Sequence, residues 1–209
     1  MNISTKVYIY VLFVTFSLGC LWWISSYGIG FSLLHLGTAA GLALACLLAR
    51  KFPLEFKRNT VEIVDVAVLT AMFALGPVWA LLVAVPSFVF RERLRTMFTS
   101  GADGMSILLA GATFGAFSSP VLDVSAPSEG LVYGAVLGGA VFYLSNAFFN
   151  ALLLRFKYES GVLAKMRESL APLVAPDIIA VLAALGTAYV TVAFGPAAAL
   201  VLFLGGRGL

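Results

Sequence analysis

The chain has 209 residues, thirteen of them Lys or Arg and ten Asp or Glu, with a formal net charge of +3. Hydrophobic residues make up 61% and the mean hydropathy is +1.03. Charged side chains reach only 11%, against about 25% in soluble domains, which excludes a soluble globular domain, a disordered chain and a disulfide scaffold. The basic residues fall in small clusters between apolar runs, with no continuous basic face, so a nucleic-acid partner is excluded as well. The fold class that remains is an all-α polytopic membrane helix bundle, with residues 1–209 forming a single integral membrane domain.

A bilayer core about 30 Å thick needs roughly 20 apolar residues per helix. In chain order the apolar runs predict helices at 7–24, 29–48, 61–75, 77–90, 104–122, 131–154, 176–194 and 196–204. The first is read as a retained helix, because no Ala-x-Ala site precedes a polar mature region. Trp22, Trp23 and Tyr27 at its far end fit an interfacial aromatic belt. Cys20 and Cys46 lie at different depths and are expected to be free thiols. His35, the sole histidine, is expected to be a hydrogen-bonded interior residue.

The run from 61 to 90 is broken at Gly76-Pro77. Pro ends a helix and Gly supplies the turn geometry, so a hairpin is predicted. Its two arms are short for full spans; the alternative is a re-entrant pair, tolerated only when buried among other helices. Gly195-Pro196 repeats the break at an offset of 119 residues, which suggests a parallel internal repeat. Its second arm, 196–204, is about half a bilayer long.

Orientation follows from charge. Lys6, the Arg50 to Arg58 group, Arg91, Arg93, Arg95, Arg155, Lys157, Lys165, Arg167 and Arg207 alternate with loops free of Lys and Arg. Eight crossings with both termini cytoplasmic put every positive charge inside a cell membrane. Between the sixth and seventh helices, 155–170 reads as a cytoplasmic amphipathic linker, with Val162, Leu163 and Met166 at helical spacing.

Intramembrane polar groups are the functional candidates. Glu62 and Asp65 share one face of the third helix. Asp177 sits in the first turn of the seventh, and Asp103 is placed just before the fifth. All four suit helix N-termini, where the macrodipole favours carboxylates. Asn146 and Asn150, at i and i+4 beside Ser145, form a polar face on the sixth helix. Glu62, Asp65, Asn146, Asn150 and Asp177 form the candidate polar pocket. Arg91, Arg93, Arg95, Lys157, Lys165 and Arg167 form the candidate surface for a cytoplasmic signalling or ATPase partner. Gly111, Gly115, Gly134, Gly138 and Gly139 give small-xxx-small spacings suited to close helix packing or homodimerisation. No metal-ligand set, phosphate-binding loop or nucleophile triad is visible, so the expectation is a non-enzyme without metal or cofactor.

Leu75-Gly76-Pro77, Tyr143-Leu144-Ser145-Asn146 and Phe194-Gly195-Pro196-Ala197 together resemble the multi-helix N-terminal membrane domain of bacterial HD-GYP and GGDEF cyclic-di-GMP signalling proteins. The resemblance covers about residues 60–204 and rests on short motifs of common residues. It implies a bacterial inner-membrane sensor or anchor acting through a cytoplasmic partner. The chain has no HD, GYP or GGDEF residues, so no phosphodiesterase or cyclase activity carries over. A second resemblance, to the substrate-binding subunits of energy-coupling-factor transporters, implies a small-molecule, vitamin-like binding or transport subunit instead.

Overall fold

The computed structural model describes residues 3–27, 32–51, 63–88, 92–121, 129–158, 161–170, 174–195, 197–198 and 201. Among these residues the architecture is all-helical, with eight helices in chain order: α1 (Ile3–Tyr27), α2 (Leu33–Lys51), α3 (Ile63–Leu75), α4 (Pro77–Phe88), α5 (Arg93–Gly115), α6 (Glu129–Tyr158), α7 (Val162–Leu170) and α8 (Val174–Phe194). Three of them are long and apolar enough to cross a membrane, over Ile3–Ser26, Glu129–Tyr158 and Ala175–Phe194. The apolar stretches of α2, α3 and α4 are shorter, so eight full-length spans are not what the described residues form. The helix expected at 196–204 and the loop from 122 to 128 lie largely outside them.

Several boundaries moved for one reason: a charge marks the edge of the apolar layer, while a helix ends where its backbone bonding stops. Thus α1 and α6 extend past their apolar runs at both ends, α6 taking in Arg155 and Lys157. The expected linker of 155–170 is therefore two pieces, the last turn of α6 and a separate α7. The largest correction concerns α5, which starts at Arg93 rather than at residue 104. No proline interrupts the stretch from Arg93 to Gly104, and Arg, Leu and Met there favour a helix enough to carry it through Gly101. The segment read as a loop before Asp103 is helical, and α5 ends at Gly115, with irregular backbone from 116 to 120.

The helix directions follow from pairs that meet. Gly101 of α5 faces Leu12 and Phe13 of α1, Gly104 faces the Phe16 ring, and Gly19 faces Leu108, so α1 and α5 run parallel. Gly134 and Gly138 of α6 meet Phe114 and Ala110 of α5 in reverse order, so α6 is antiparallel to both. Thr5 Oγ1 donates to the Phe156 carbonyl at 3.1 Å and Tyr8 OH to the Phe149 carbonyl at 2.9 Å, tying α1 along α6.

At the centre stands α3, apolar nearly all round as a fully enclosed helix must be. Every residue from Val66 to Leu75 is buried, against α2, α4 and α8. Thr70 is the polar exception: its hydroxyl donates to Val66 O at 2.7 Å and reaches Ala184 O of α8 at 3.3 Å. The Gly76-Pro77 break forms the expected hairpin. Gly76 has φ +96°, a conformation cheap only for glycine, and Pro77 takes the first position of α4, where its missing N–H costs nothing. The arms have 13 and 12 residues, about 20 and 18 Å, shorter than a hydrocarbon core of about 30 Å. At the tip Gly76 is buried and Pro77 half-buried: Pro77 packs on Gly111 of α5, and Pro120 closes over Gly76. Gly195 repeats the geometry with φ +83°.

Gly138 packs on α5 and Gly139 on Val181 of α8, whereas Gly115 and Gly186 have open space where a side chain would stand. Gly186 lies inside α8 on an exposed face. Gly186→Ala is therefore expected to raise stability by about 0.5–1 kcal/mol, through helix propensity alone. Thermal unfolding in detergent checks this; a loss would mean that a partner covers that face. Cys20 and Cys46 are both free thiols.

Candidate functional site

The polar residues divide into three groups. The first lies between α5 and α6. Because α5 starts early, Asp103 stands well inside it, eight residues beyond Arg95 or about 12 Å along the axis. Asn146 stands nine residues before Arg155 on the antiparallel α6, at a matching level. Asn146 Nδ2 donates to Asp103 Oδ1 at 2.8 Å. Asn150, one turn on, donates its Nδ2 to both the Asn146 carbonyl at 3.0 Å and Asn146 Oδ1 at 2.5 Å. The two amides are thus aligned head to tail, their donors aimed at the carboxylate. Such alignment polarises each bond in the same sense and stabilises negative charge at its end. Asp103 and Asn146 are half-buried and Asn150 is exposed, so the row leads from the helix interface outward. Ser145, beside Asn146, donates back into its own helix, to Val141 O at 2.6 Å and Phe142 O at 3.1 Å.

The expected pocket is therefore redrawn. Asn146 and Asn150 join Asp103, a residue assigned to a helix cap by the sequence reading. The signal that would have found it is the unbroken helical pattern from Arg93 onward. Asp65 and Asp177 form the second group, in the first turns of α3 and α8 as expected, on two helices that pack together. Cys46 of α2 lies within electrostatic reach of Asp65. Glu62 lies outside the described residues.

His35 is hydrogen-bonded, as expected, but to a local partner at a helix start. Ser32 caps α2, accepting the His35 backbone N–H at 3.1 Å, and its hydroxyl meets His35 Nδ1 at 2.5 Å. The imidazole lies 5.8 Å from the Trp79 ring and is half-exposed rather than interior.

The third group is a basic end. Arg93 and Arg95 occupy the first turn of α5, Arg155 and Lys157 the last turn of α6, and Lys165 and Arg167 belong to α7. Since α1 and α5 run parallel and α6 antiparallel, Lys6, Arg93, Arg95, Arg155 and Lys157 emerge at one end. All of these are exposed, as is Arg167, and Lys165 is half-exposed. Arg91 lies outside the described residues. Lys165 Nζ pairs with Glu168 Oε2 at 2.6 Å on the surface, a contact worth little to stability. On α7, Val162 and Met166 are half-buried, but Leu163 is 82% exposed, so the expected apolar stripe loses its middle member. The opposite end carries Trp22 and Trp23, packed edge to face, and Glu129. Among the described residues it has no Lys or Arg.

Comparison with known protein families, with curated proteins and with solved structures finds no match.

Proposed function

We propose that this chain is a multi-pass cell-membrane protein, both termini cytoplasmic, serving as a non-enzymatic sensor or anchor module for a cytoplasmic partner. The observation that carries the reading is the common basic end: cations from α1, α5 and α6 emerge on one side, and the far end is aromatic. That asymmetry is what the positive-inside rule selects. Gly195, with the backbone twist of Gly76, supports a second break of the same kind at the end of α8. α6 supports a transmitting role, since one continuous helix joins the Asn146 level to the basic end and leads into α7.

A photocrosslinker at Arg95 or Lys165, in native membranes, is expected to give a discrete protein adduct that disappears when Arg93 and Arg167 are changed to Glu. Lipid adducts alone at both positions would count against the reading. The alternative, a subunit that binds or moves a small polar solute, draws support from the Asp103–Asn146–Asn150 row. It predicts solute binding that Asp103→Asn abolishes while the fold is kept.

A further inference from the structure

The basic end contains a smaller unit on the α1–α6 flank. Thr5 of α1 is bonded to Phe156 of α6, which fixes the register of the two helices. Tyr8 reinforces it, its ring 5.1 Å from that of Phe156. In this register two borders coincide. On α1 the apolar run begins at Val7, directly after Lys6; on α6 it ends at Leu154, directly before Arg155. Lys6, Arg155 and Lys157 therefore stand at one level, at the rim of the apolar layer, with Arg155 and Lys157 flanking the Phe156 that Thr5 meets. Lys157 Nζ lies 4.9 Å from the ring of Tyr158, which is 63% exposed. The faces below the rim are exposed and apolar, with Val7, Val11, Val14 and Leu18 on α1 and Leu144 and Phe148 on α6. Among the described residues of α1 and α6 the sole carboxylate is Glu129, at the far end of α6.

We infer that Lys6, Arg155 and Lys157 form a docking site for the phosphate-bearing headgroup of an anionic glycerophospholipid, whose acyl chains lie along the apolar faces of α1 and α6. Charge and position both select this occupant. Three cations, with no carboxylate near them among the described residues of these two helices, call for an anion. Cations at the rim of an apolar surface stand at the depth of lipid phosphates, with an aromatic ring beside them as in interfacial belts. An acidic protein surface would meet the end of the bundle, where Arg93, Arg95 and Arg167 are, rather than its lipid-facing flank. The inference rests on the reading that these helices span a membrane.

The test uses the full chain in mixed vesicles of phosphatidylcholine and phosphatidylglycerol, with spin-labelled lipids reporting which headgroup the protein retains. The wild-type chain is expected to retain phosphatidylglycerol in excess, less so as salt is raised. Each of Lys6→Gln, Arg155→Gln and Lys157→Gln is expected to reduce the excess, by up to about fivefold per charge. Arg93→Gln with Arg95→Gln is expected to leave it unchanged. No wild-type preference, or a preference that survives the triple variant, would overturn the site while the membrane reading stands. Loss of the Arg95 crosslinked protein in the triple variant, with lipid preference intact, would also overturn it in favour of an acidic protein. A chain washed from the vesicles by alkaline carbonate would overturn both.

Discussion

Gly111→Ala is expected to destabilise the protein by about 1–3 kcal/mol, the cost of overpacking a filled interface. A Cβ on Gly111 would collide with Cβ of Pro77 and stand 2.9 Å from its Cγ. Pro77 cannot yield by changing rotamer, because its ring is closed on the backbone of the hairpin tip. The tip cannot yield freely either, since Pro120 closes it from the other side. The strain must pass into α3, the most enclosed helix. Gly115→Ala, one turn further along α5, is the matched control, because nothing lies within 4 Å of the added carbon. Thermal unfolding of the two variants in one detergent should separate them by several degrees, and equal midpoints would show that the tip is loosely seated.

Removing the amide that faces Asp103 should have a comparable effect. Asn146→Leu takes away a charge-assisted hydrogen bond and leaves Asp103 at a helix interface without that donor, at a cost of about 2 kcal/mol. Asp103→Asn, which keeps an acceptor oxygen, should cost much less. The pair is best read through a double-mutant cycle with Asp103→Leu, whose coupling should exceed about 1 kcal/mol. Additive single effects would mean that the contact contributes nothing, as for the weaker polar contacts between membrane helices.

How much of this was legible in the residues varies from element to element. The Gly76-Pro77 hairpin was legible because a positive φ and a missing N–H are properties of those two residue types wherever they occur. Helix existence was legible from the apolar runs, and the carboxylates at the starts of α3 and α8 from the macrodipole. The start of α5 was not, because clustered charges such as Arg93 and Arg95 look like a loop in the sequence, whereas they form an exposed first turn. That displacement hid Asp103, and with it the true partner of Asn146. The two are 43 residues apart, and no local pattern pairs residues across such a gap. The register that Thr5 and Phe156 set between the first and sixth helices was equally invisible.

The seat of the α3–α4 hairpin has a bearing on how the chain is made. The residues that close over its tip are synthesised later: Gly111 and Pro120 follow it by some thirty residues or more, and the Ala184 carbonyl that meets Thr70 follows by 114. The hairpin therefore leaves the ribosome before its surroundings exist, too short to cross the bilayer by itself. During biogenesis it must wait beside α2, against which both arms pack, until α5 and then α8 arrive. The centre of the bundle is the part completed last, and a chain interrupted before α8 exposes its most apolar helix.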